Sequence, residues 1–101
     1  MAWKKIASVS DLSDGQGKSL EVDGKELALF KAGGNFYCID GRCTHRRGEL
    51  GDGELEDKLV VCPLHGSKFD ITNGKVQTAP AKENVNSYPT KVEGDDVLVD
   101  L

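Results

Sequence analysis

Cys43-Thr44-His45 and Cys62-Pro63-Leu64-His65 decide the reading of this chain, because each sets one thiol and one imidazole within reach of a single loop tip. Two such mixed pairs make one four-ligand set. Residues 46–61 separate them, enough for a loop tip, a turn and a strand that returns the second pair beside the first. A structural Cys2His2 zinc site and an iron–sulfur cluster both accept these residue types. Zinc fingers prefer a Cys pair from one element and a His pair from another, whereas mixed pairs suit a binuclear cluster whose irons draw on both loops.

Outward from the motifs the chain reads as all-β. Short strand-like runs recur at 3–9, 19–22, 26–30, 36–39, 59–62, 68–71, 87–93 and 97–101, bounded by turn signals. Asp23-Gly24, Gly33-Gly34 and Asn73-Gly74 supply the positive φ of tight hairpins, and Gly94-Asp95 turns the last one. Alternation in 26–29 and 97–101 places Leu27 with Leu29, and Val97 with Val99 and Leu101, on inward faces. No helical periodicity is sustained. The stretch 41–59 breaks the rhythm with four glycines and five acids, Glu49, Asp52, Glu54, Glu56 and Asp57, and reads as a functional loop. Its acids do not fit EF-hand spacing. The expectation is a small antiparallel sandwich or barrel, one domain over residues 1–101.

Seventeen acids against thirteen Lys and Arg leave a net charge of −4, which argues against a partner held by phosphate contacts. No stretch approaches the roughly 20 apolar residues that span a bilayer, and Met1-Ala2-Trp3-Lys4-Lys5 lacks the apolar core of a signal peptide. With two of three cysteines in metal spacing, reduced thiols in the cytoplasm fit better than a disulfide framework. The third, Cys38, has the strand setting of a small buried side chain.

The C-x-H…C-x-x-H pattern resembles the Rieske family. The resemblance implies a β-sandwich or barrel carrying a cluster-binding subdomain formed by two loops, about 41–50 and 62–68, with a covering proline loop at about 78–81. It implies one [2Fe–2S] cluster, with Cys43 and Cys62 on one iron and His45 and His65 on the other. Replacing two thiolates by neutral imidazoles takes an oxidised cluster from about −2 to about zero, so an electron is added more easily. In the high-potential members of cytochrome bc complexes each loop holds an additional Cys; here those places are Gly48 and Leu64. Ser67 matches one of their two hydroxyl donors and Phe69 replaces the other. The sequence therefore looks like the soluble ferredoxins that serve bacterial oxygenases of aromatic hydrocarbon catabolism.

That resemblance implies an electron carrier, not an enzyme, working between a flavin-dependent ferredoxin reductase and a terminal oxygenase, with no nucleic acid or membrane partner. An oxygenase would add an iron held by two His and a carboxylate, and both histidines of this chain are already used. Two rivals stand beside it: the small Rieske-like subunit of an assimilatory nitrite reductase, and a structural zinc module. Arg42, Arg46 and Arg47, all the arginines of the chain, flank the first motif. They form either a cationic rim for an acidic partner or charges neutralised by the acids of 49–57.

Overall fold

The computed structural model describes residues 3–42, 49–63, 66–78 and 83–101. In chain order the strands are β1 (Trp3–Ser8), β2 (Gln16–Val22), β3 (Lys25–Ala32), β4 (Asn35–Asp40), β5 (Glu54–Glu56), β6 (Leu59–Val61), β7 (Lys68–Asp70), β8 (Val76–Thr78), β9 (Ser87–Tyr88), β10 (Thr90–Glu93) and β11 (Asp96–Asp100). Two short 3-10 turns, Val9–Asp11 and Leu50–Asp52, accompany them. The strands form three antiparallel sheets, ordered β1-β11-β10, β2-β3-β4-β9 and β5-β6-β7-β8. No helix among the described residues is long and apolar enough to cross a membrane.

Two-residue turns set the register. Asp23 (φ 51°) and Gly24 (φ 81°) join β2 to β3 so that Val22 faces Lys25, and Gly33-Gly34 likewise set Ala32 against Asn35. Positive φ at both positions gives the turn the same twist as its strands. Gly94-Asp95 closes β10 onto β11 as the sequence predicts. Asn73-Gly74 differs: it lies in the longer connection from Asp70 to Val76, where the Gly74 N–H donates to the Asp70 carbonyl at 2.7 Å. The Asp70 side chain accepts from the Thr72 N–H and hydroxyl, which rounds the turn out beyond two residues.

The alternation of β3 places Leu27 and Leu29 on one inward face as expected, but the opposite face is covered as well. Leu27 and Leu29 are buried, and so are Ala28 and Phe30, all at 0% exposure. One face of the central sheet packs Leu27, Leu29, Phe36 and Cys38 against Ala7, Leu12, Val97 and Val99. The other packs Ala28, Phe30 and Ile39 against Leu50, Val60, Cys62, Phe69, Ile71 and Val85. A strand covered on both faces reads as a continuous apolar run. Each fully buried Leu or Phe contributes about 1.5–3 kcal/mol, so β3 anchors both halves of the molecule.

Two strands are absent from the sequence reading. β5 lies inside the stretch read as loop and β8 follows Gly74; each is three residues long, too short for a period of two to declare itself. The predicted run 87–93 is two strands. β9 pairs with β4 and β10 with β11, and the chain changes sheets at Pro89, which has no N–H to give either ladder.

Candidate metal centre

The first motif grows from the end of β4. The Gly41 N–H donates to the Glu26 carbonyl at 2.8 Å, the Leu50 N–H donates to the Gly41 carbonyl at 2.8 Å, and Arg42 bridges Glu49 in antiparallel fashion. The chain thus leaves at 42 and returns at 49 beside itself. Cys43, His45, Arg46, Arg47 and Gly48 lie outside the described residues. Arg42 grips the Glu26 carboxylate with both edges of its guanidinium, Nη2 reaching Oε1 at 2.7 Å and Nε meeting Oε2. The hydrogen bond to Glu26, then its charge, pushes the Arg42 pKa up. Arg42 is therefore neutralised, by Glu26 across the sheet and only secondarily by Glu49.

The second motif caps the β6–β7 hairpin. The Cys62 N–H donates to the Ser67 carbonyl at 2.7 Å, and the Gly66 N–H donates back to the Cys62 carbonyl at 3.1 Å. Gly66 adopts φ 76°, so the tip curls back on its own root. Leu64 and His65 lie outside the described residues. Cys62 is a free thiol at 2% exposure, and Ser67 is wholly buried. A hollow of about 420 Å³ lies beside it, lined by Asp52, Gly53, Glu54, Val61, Pro63 and Gly66. Gly53 permits this closeness, because a Cβ there would stand 2.2 Å from the Val61 carbonyl oxygen.

Leu50, which follows the first motif, and Cys62, which opens the second, share one buried cluster with Phe30, Val60 and Phe69. The two stems thus enter the same core. This fits a soft-metal group held between two loops: a buried thiol outside any disulfide, on a backbone turned around it, with the stem of the other loop in the same cluster. Cys38 offers the contrast. It lies at 1% exposure on the opposite face of the central sheet, where burial and then the charge of Asp40 push its thiol up to about 12. It is a core residue, not a fifth ligand. The proline loop at 78–81 is described only at Thr78, the last residue of β8.

Sequence reasoning missed the groups that hold the loop roots. Glu26 follows the Asp23-Gly24 turn and Asp40 precedes Gly41, with no motif to mark either. Tyr88 donates to Asp40 Oδ1 at 2.6 Å across 48 residues, a contact that only the fold creates.

The sequence profile of the Rieske [2Fe-2S] domain matches residues 2–89. The ferredoxin component of the naphthalene 1,2-dioxygenase system of Pseudomonas putida is 39% identical over 99 residues, spanning 98% of this chain and 95% of that one. Among solved structures, the ferredoxin of carbazole 1,9a-dioxygenase from Nocardioides aromaticivorans IC177 superposes with a TM-score of 0.92 at 28% identity, covering 98% and 97% of the two chains. A complex of reduced oxygenase and oxidized ferredoxin of carbazole 1,9a-dioxygenase matches at TM-score 0.90 and 28% identity, over 96% of this chain and 91% of that one. A protein described as a nitrite reductase small subunit shares the fold at TM-score 0.87 and 17% identity, over the full length of both chains. The chain belongs to the Rieske [2Fe-2S] family. Its cofactor is accordingly a Rieske-type [2Fe–2S] cluster.

Proposed function

We propose that this protein is the ferredoxin component of a ring-hydroxylating dioxygenase system, a cytoplasmic carrier that receives single electrons from a reductase and hands them to a terminal oxygenase. The observation that carries this reading is the near end-to-end match, 98% of this chain against 95% of a dioxygenase ferredoxin. A related ferredoxin found in complex with its oxygenase supports the choice of partner. Cys43, His45, Cys62 and His65 are the proposed ligands. Cys62 presents a buried thiol beyond the end of β6, and the bridge between Arg42 and Glu49 brings the two flanks of the first motif side by side. When bound, the cluster supplies a one-electron couple. The chain makes and breaks no substrate bonds; its residues hold the ligands, keep water from the inner side and present the two loop tips.

Protein purified anaerobically should be coloured, contain iron and acid-labile sulfide in equal amounts, and develop an EPR signal on reduction with dithionite. A colourless, EPR-silent chain containing zinc would end the carrier reading. Reconstitution then separates it from the nitrite-reductase alternative. Ring hydroxylation by a terminal oxygenase supplied with NADH and reductase should depend on added protein, and a requirement shown only by a sirohaem nitrite reductase would favour the rival.

A further inference from the structure

We propose that Asp40 is a positioning residue of the cluster site, its carboxylate seating the root of the first Cys/His motif against the chain segment that re-enters at 83–88. The inference rests on the assignment of Cys43 as a ligand. Asp40 ends β4, three residues before Cys43, and three peptide units span at most about 11 Å between Cα atoms. That reach is comparable to the distance over which salt screens a charge, about 8–10 Å.

Three hydrogen bonds converge on this one residue. Its N–H donates to the Asn86 carbonyl at 2.9 Å, its Oδ2 accepts the Asn86 N–H at 2.8 Å, and its Oδ1 accepts the Tyr88 hydroxyl at 2.6 Å. Asn86 follows Val85, whose N–H donates to the Gly74 carbonyl at 2.8 Å and whose side chain packs in the cluster that buries Cys62. A continuous path of contacts therefore links the root of the first motif to the core beneath the second. Burial, then the hydrogen bond to Asp40, pushes the Tyr88 phenol up to about 12, so it keeps its proton at neutral pH and remains the donor. Only a carboxylate meets both donors, because an amide has one acceptor oxygen and turns its NH2 toward the other.

The clamp also fixes a negative charge near the ligand set, half-satisfied by the Tyr88 hydroxyl. Asp40→Asn removes the charge and should raise the reduction potential. Tyr88→Phe keeps the charge and removes a donor that offsets it, so the potential should fall. A purely structural clamp would move both variants the same way.

The experiment compares the full-length holoprotein with Asp40→Asn, Tyr88→Phe and, as a control for overall charge, Asp96→Asn, whose carboxylate pairs with Lys5 on the outer sheet. Voltammetry gives the potential, and hydrogen exchange reads the Asn86 amide. Expected are opposite shifts for the first two variants, none for the control, and at least several-fold faster exchange at Asn86 in Asp40→Asn. Shifts of the same sign, no shifts, a shift equal to the control, or unchanged exchange would overturn the proposal. If Asp40→Asn does not fold, Tyr88→Phe decides alone: a lowered potential supports the clamp, and an unchanged or raised one overturns it. If the unsubstituted protein shows no Rieske spectrum, the ligand reading has failed, and exchange at Asn86 still judges the clamp by itself.

Discussion

Cys38 and Cys62 are buried almost equally, at 1% and 2% exposure, in the two clusters packed against opposite faces of the central sheet, yet only Cys62 is a proposed ligand. Cys38 sits in the middle of β4, paired to β3 on one side and β9 on the other, its side chain fixed among Leu29, Val97 and Val99. Cys62 is the first residue beyond β6, where the strand ladder stops and the backbone turns on itself through Ser67 and Gly66. Burial alone does not make a ligand. What differs is the backbone, continuous pairing in one case and a curled hairpin tip in the other.

Substitution tests that contrast directly, and the largest effect is expected at Cys62. Cys62→Ala should abolish the visible colour and the EPR signal of the protein, whereas a Cys62→Ala protein retaining full iron and an unaltered spectrum would break the contrast. Leu29→Ala, on the Cys38 face, should cost about 2–5 kcal/mol of stability as a cavity opens. Denaturant titration should show that loss while the cluster spectrum stays unchanged under native conditions.

Alkaline pH sharpens the comparison from the other side. The Cys38 thiol, held near 12 in the fold against an ordinary value of 9.0, keeps its proton where the unfolded chain loses it. Its contribution is therefore complete below pH 9 and is lost as pH rises from 9 through 12, at up to about 1.4 kcal/mol per pH unit. Tyr88, raised from 10.0 to about 12, adds to the same slope above pH 10. Cys38→Ala should flatten the fall in stability measured across this range, and an unchanged slope would show that the thiol is not held neutral by its surroundings. The smallest effect belongs to Glu26→Gln. Its carboxylate and the Arg42 side chain are 41% and 44% exposed, so the stability change should be slight and vanish at high salt.

Much of the scaffold was legible in the sequence because hairpins are local. Asp23-Gly24 and Gly33-Gly34 name their own turns, and the runs between them are long enough to alternate or to stay apolar. β5 and β8 were not legible, since three residues carry no period and their pairing energy comes from neighbours across the sheet. The candidate site was legible at the level of residue type, in the two Cys/His pairs, but not in its supports. Glu26 is 16 residues from Arg42, and Asp40 is 46 from Asn86. The arginine cluster shows the difference plainly. By sequence Arg42 belongs with Arg46 and Arg47, but in the fold it belongs to Glu26.

The sequence by itself determined which chemistry could be proposed for this protein, because the types and spacing of the candidate ligands are covalent facts: two thiols and two imidazoles, no cysteine at Gly48 or Leu64, and no histidine to spare. It also determined the all-β character, since turn residues and short apolar runs act over a few positions. Only the tertiary structure decided that β3 is buried on both faces, that Cys38 and Cys62 lie on opposite sides of it, and that Asp40 ties the first motif to Asn86 and Tyr88. Those outcomes depend on which surfaces meet after the sheets pack, a long-range contest of burial and hydrogen bonding that no local pattern records.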